Sequence, residues 1–131
     1  MRYQDFVGQV QHRSRLGEQG RAVGAIRATL ETLSERIVSG EAENLADQLP
    51  REIGYYLRQA KTRESFELDE FYQRVAQREE VDYPDAVHHA RVVMSVVNEA
   101  ATPGEMDKVR GQLPDEYDDL FTLAEAEQAD S

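Results

Sequence analysis

The sequence predicts an all-α protein: about eight helices, arranged as two tandem four-helix units packed with pseudo-two-fold symmetry. Three observations point there. Apolar residues recur at helical spacing, with Val23, Ile26, Leu30, Leu33 and Ile37 stepping by three and four. No segment alternates apolar and polar residues convincingly at period two, so no sheet is expected. Short motifs also recur at a fixed offset. Gly40-Glu41 returns as Gly104-Glu105, and Gln48-Leu49-Pro50 returns as Gln112-Leu113-Pro114, both 64 residues on.

The apolar pattern follows the same offset: Ile26 with Ala90, Leu30 with Met94, Leu33 with Val97, and Leu45 with Val109. So do Glu35 with Glu99 and Glu52 with Glu116. Upstream the offset becomes 65, pairing Phe6 with Phe71, Val10 with Val75 and Leu16 with Val81. One residue has been lost or gained in the loop between. A chain of 131 residues is long enough for one domain, or for two halves sharing a core. The expected domain covers residues 1–124, with repeat one at about 3–60, repeat two at about 68–124, and an acidic flexible tail over 125–131.

Helices are expected near 2–13, 19–38, 40–48, 50–60, 68–78, 84–101, 103–111 and 114–124. The second carries the Val23–Ile37 stripe. Its counterpart starts at Asp82-Tyr83-Pro84-Asp85, with Asp82 as N-cap and Pro84 in the first turn. That helix adds Val92, Val93 and Val96 to the stripe, so it is apolar around most of its circumference and belongs at the centre. Thr102-Pro103-Gly104-Glu105 resembles a capping box, in which Thr caps and Glu reaches back; Ser39-Gly40-Glu41 is a weaker copy. Pro50 and Pro114 end the short helices and open the next ones.

Gly-Glu followed by Gln-Leu-Pro, closing a four-helix unit twice over, resembles the family known as domain of unknown function 2267. The opening Gly8-Gln9-Val10-Gln11-His12-Arg13 and the run Ala25-Ile26-Arg27-Ala28-Thr29-Leu30 look like its salt-adapted archaeal branch. The resemblance covers roughly residues 3–124. It implies an all-helical fold and no assigned activity, so no catalytic residue is carried over. The second half departs from the first at Pro103, where the first has Ser39, and lacks a copy of Tyr55-Tyr56.

Charge narrows the function classes. The formal net charge is −11, but it is unevenly placed. Residues 1–65 carry ten Lys/Arg and nine Asp/Glu, whereas residues 66–131 carry five and seventeen. Net negative charge repels phosphate backbones and anionic membrane surfaces, so nucleic acid and membranes are disfavoured partners. Lysine is reduced to Lys61 and Lys108 against thirteen Arg. That balance suits a surface adapted to strong salt, the alternative being an acidic protein with codon bias toward Arg. With no Cys, no long apolar run and no apolar N-terminal segment, the expectation is a cytoplasmic protein without disulfides.

No grouping points to catalysis. His88 and His89 diverge by about 100° on a helix, and His12 is remote in sequence, so no metal site is expected. The carboxylate runs Glu79-Glu80-Asp82, Asp115-Glu116 and Asp118-Asp119 fall at helix starts or in polar stretches that face water. No cofactor motif or phosphate loop is present. The candidate binding residues are Arg51, Tyr55 and Arg58, at i, i+4 and i+7 of the fourth helix, residue types enriched at interaction hot spots. Ile53, Tyr56 and Leu57 supply its buried face. The expected function is a non-enzymatic interaction or scaffold module for another protein, displaying a groove between the repeats. The alternative is a small-molecule binder or enzyme using that cleft, which calls for a closed apolar cavity with buried ionisable groups.

Overall fold

A computed structural model describes residues 1–129, and among them every regular element is helical. α1 spans Tyr3–Ser14, α2 Gln19–Arg36, α3 Ser39–Gln48 and α4 Arg51–Leu57. α5 spans Leu68–Glu79, α6 Tyr83–Ala100, α7 Pro103–Gly111, then a 3₁₀ segment Asp115–Phe121 runs into α8, Thr122–Ala129. The helix expected over 50–60 closes at Leu57, and the eighth one is split between the 3₁₀ segment and α8. Residues 125–129, expected as tail, are part of α8, while Asp130 and Ser131 lie outside the described residues.

Elements of the two halves run in the same order with near-equal lengths: 12, 18, 10 and 7 residues, then 12, 18, 9 and 7. α1 and α5 both end on a non-glycine residue in the left-handed region, Arg15 at φ 60° and Glu80 at φ 61°. Left-handed caps usually fall to Gly or Asn, so these two departures share one position in their helices.

α6 lies at the centre, as its apolar circumference requires, packing against α1, α2, α5, α8 and the 3₁₀ segment. α2 shares that place and touches α1, α4, α5 and α6. Besides its apolar stripe it buries Thr29, Thr32 and Ser34. Two of these hydroxyls bond back within their own helix, Thr32 Oγ1 to the Ala28 carbonyl and Ser34 Oγ to that of Glu31, so small polar residues can sit in the interior. Phe71 anchors the second half, edge-on to Tyr72 and Tyr117 at ring separations of 6.1 and 5.9 Å.

The junction between halves has no helix from Gln59 to Glu67, yet it is fastened along its length. Glu64 N–H donates to the Glu35 carbonyl at 2.9 Å. The Phe66 carbonyl accepts from Arg36 Nε at 2.9 Å and from the Tyr117 hydroxyl at 2.7 Å. The Arg74 guanidinium lies 3.9 Å over the Phe66 ring. Glu116 then receives Leu68 N–H at the start of α5.

Ion pairs cross between the halves. Arg78 on α5 grips Glu35 on α2 through two nitrogens, both at 2.8 Å, and also donates to Thr32. Arg13 on α1 reaches Glu99 on α6 at 2.6 Å and Ser95 at 3.1 Å. Helix starts are sealed across the same boundary. Thr102 Oγ1 accepts from Glu105 N–H, the forward arm of the expected box. The return arm is absent: Thr102 N–H donates instead to Gln48 Oε1, from the other half, at 2.8 Å. Val38 N–H, at the start of α3, donates to Gln112 Oε1 at 3.0 Å. Asp82 occupies the N-cap of α6, but its side chain accepts no capping bond.

Candidate functional site

α4 is short because Pro50 opens it and Arg58 leaves helical geometry after Leu57. Ile53, Gly54 and Leu57 turn inward. Gly54 sits against α3 so closely that a Cβ there would stand 2.6 Å from the Ala46 carbonyl oxygen. That approach brings the outer face of α4 beside α2.

A cleft of about 900 Å³ opens between α2 and α4, lined by Arg27, Glu31, Arg51, Tyr55, Tyr56 and Arg58 among others. All three sequence-predicted residues therefore reach one cleft, in different states. Tyr55 is 57% exposed and stands edge-on to Tyr56, with ring centres 5.9 Å apart. Arg51 has no ion pair among the described residues. Arg58 is committed to α3, with Nε at 2.9 Å from Glu43 and Nη2 at 2.6 Å from Asp47. Glu31 pairs with Arg27 at 3.1 Å. Burial, followed by the neighbouring Tyr3, raises the Tyr56 hydroxyl above the usual phenol range, so it stays neutral. Guanidinium and phenol groups on an open wall suit ion pairing and stacking with a partner.

The sequence places a groove between the halves; clefts of about 580, 450 and 300 Å³ have residues of both halves in their walls, and the 900 Å³ cleft lies within the first half. At the edge of the boundary a cleft of about 580 Å³ is lined by His12, Arg13, Arg15, His88, Ser95 and Leu123. His88 is exposed there, and His89, one residue on, is buried, as their divergence requires. The His88 imidazole is lowered by desolvation and then by its neighbours His89 and Arg91.

Glu80, Asp82, Asp115, Glu116 and Asp118 of the acidic runs are exposed, as expected, and Glu79 is the exception. The Glu79 side chain is 6% exposed and hydrogen-bonded to His89 Nδ1. Asp119 receives the Tyr72 hydroxyl at 2.7 Å and Arg91 at 2.6 Å, and the Arg91 bond holds its carboxyl below the usual range. Asp118 pairs with Arg110 while staying exposed to water. Sequence reasoning also missed Glu41 and Glu105, which are 9% and 5% exposed on α3 and α7. Burial, then hydrogen bonding to Glu41, pushes the Glu105 carboxyl up to about 7. The signal was present, because both belong to the Gly-Glu step that recurs at the 64-residue offset. Among the described residues, no three His, Cys, Asp or Glu side chains converge on a metal position, and no helix is long and apolar enough to cross a membrane.

Residues 3–120 match the model of a family described as Uncharacterized conserved protein (DUF2267). The chain belongs to that family. The matched span runs from the start of α1 through most of the 3₁₀ segment, so both halves lie within the family's domain. It includes the α2–α4 cleft and the contacts that close the halves. No curated protein matches the chain.

Proposed function

We propose that this DUF2267 protein is a non-enzymatic helical interaction module, one unit written twice and closed on itself, which receives an acidic segment of a protein partner. The observation that carries the reading is the α2–α4 cleft, where Tyr55 stands exposed beside Arg51, which has no ion pair among the described residues. Exposed tyrosine next to such an arginine gives a partner both stacking area and a charge-assisted anchor. An acidic partner fits because the first half carries a slight positive balance while the second is strongly negative. The duplication is supported by exchanges that read both ways: Gln48 to Thr102 and Gln112 to Val38, Arg78 to Glu35 and Arg13 to Glu99.

A photo-crosslinking residue replacing Gln59, at the cleft rim, tests this in native extract at native ionic strength. The expected result is one crosslinked protein that disappears in Arg51→Glu and in Tyr55→Ala, with helix content and melting temperature unchanged. Capture indifferent to both substitutions, or hydrolysis of phosphate or ester substrates at enzymatic rates, refutes the module.

The same protein is read as salt-adapted and cytoplasmic. Its 26 acids and two lysines leave a surface whose self-repulsion is relieved by screening. The melting temperature is expected to climb steadily from dilute buffer to molar KCl. A flat or falling dependence removes the salt-adapted reading and leaves the cleft untouched.

A further inference from the structure

Glu41 and Glu105 occupy the same position of α3 and α7, three residues past Val38 and Thr102, the residues that start those helices. Each is more than nine-tenths buried, and each has one carboxyl oxygen, Oε2, with no hydrogen-bond partner. Glu41 Oε1 accepts from Gln112 Nε2 at 3.3 Å. α3 packs against α7, and Glu41 is the carboxylate that acts on Glu105 across that contact. Two neighbouring buried carboxylates cannot both ionise without heavy cost, whereas one proton held by the pair removes the repulsion.

We propose that Glu41 and Glu105 form a proton-binding site on the seam between the halves, holding one shared proton that keeps α3 and α7 closed and whose release loosens them. The groups around it favour this occupant. From α3 comes Glu41, and from the turn after α7 comes the neutral amide of Gln112. Lys108, on Glu105's own helix, acts on it and opposes proton uptake. On α4, Arg58 is tied to Glu43 and Asp47. Beyond Gln112, Arg36 is bonded to the Phe66 carbonyl, and Arg63 lines the neighbouring surface cleft. Among the contacts of the described residues, none joins a guanidinium to either carboxylate. The sign follows from linkage: a carboxyl raised in the folded state contributes stability that is complete below the ordinary glutamate range and is lost as pH rises through its folded value.

The test reads hydrogen exchange and the infrared carbonyl region of the whole chain against pH. In mildly acidic buffer a protonated-carboxyl stretch is expected, vanishing as pH passes about 7. Over the same interval amides of α3 and α7 should open up to about tenfold more per pH unit than intrinsic exchange accounts for, one proton being released. α1 and α5 should follow intrinsic rates. In Glu105→Gln the amide replaces the shared proton, so the stretch is lost and the seam stays closed at all pH values. Glu41→Gln should do the same and serves if the first variant folds poorly. The proposal is overturned if the wild-type stretch is absent, if α3 and α7 show no excess opening, or if both variants keep the wild-type pH dependence. It is also overturned if magnesium or calcium closes the seam at alkaline pH in place of acid, since the occupant is then a divalent cation.

Discussion

Gly54→Ala is expected to destabilise the fold by about 3 kcal/mol, the upper end of the usual cost of overpacking. The new methyl would meet the Ala46 carbonyl oxygen at 2.6 Å and its carbon at 3.2 Å. Both are backbone atoms of α3, so no side chain can swing aside. α3 must move away from α4, and the Arg58 bonds to Glu43 and Asp47 stretch with it. Alanine's better helix propensity returns about 1 kcal/mol at most, so the clash decides the sign. Gly8→Ala is the control. It lies exposed within α1 with nothing within 4 Å of the added carbon, and should gain roughly 0.5–1 kcal/mol. Chemical denaturation of both variants measures the contrast. Equal midpoints would show that α3 and α4 are not in contact as described.

Glu35→Ala carries the second large effect, a loss of about 1.5–3 kcal/mol. Glu35 is 18% exposed and receives two bonds from Arg78 and one from Arg74. Removing it takes the two-point carboxylate from Arg78, which keeps Thr32 and has Glu31 at 3.8 Å, while Arg74 keeps Glu64 and Glu70. The loss is therefore that of hydrogen bonds to charged groups rather than of a stranded charge. Glu99 is the instructive comparison, since its bond to Arg13 is as short but the carboxylate is 41% exposed. Water compensates there, and Glu99→Ala should cost below about 1 kcal/mol. The Arg78 hydrogen bond holds the Glu35 carboxyl below its ordinary range. A depressed acid contributes stability that is present above its unfolded pKa and lost as pH falls through the folded one. The acid limb of the stability profile should therefore shallow in Glu35→Ala, and parallel limbs in the two proteins would contradict the assignment.

How far the sequence could be read depended on which force set each feature. Helix positions followed from burial alone, so the Ile26–Ile37 stripe placed α2, and the valines around Val93 placed α6 at the centre. α2's equal depth was hidden, because Thr29, Thr32 and Ser34 look like surface residues, and bonds to its own carbonyls neutralise two of them. The capping box was half legible: Thr102 caps locally, but the return bond comes from Gln48, fifty-four residues away. Helical spacing alone puts Arg51, Tyr55 and Arg58 on one side of their helix, and the three line one cleft. Arg58's commitment to Glu43 and Asp47 depends on the packing of α3 against α4, which no spacing encodes. Glu79 misled because a carboxylate in an acidic run ordinarily faces water, and its partner His89 lies ten residues away across a turn between helices.

The amide seals on α3 and α7 have a consequence for what a smaller relative of this chain could be. A first half standing alone carries both the plug, Gln48, and the socket, the Val38 N–H. In the whole chain these mate with Thr102 and Gln112 of the other half. Two identical fragments facing each other can fill both sockets at once, because an exchange that reads the same in both directions is what a two-fold axis supplies. A homodimer is the expected state of such a fragment, checked by its mass in solution, and in the whole chain the strap through Phe66 joins the two halves instead.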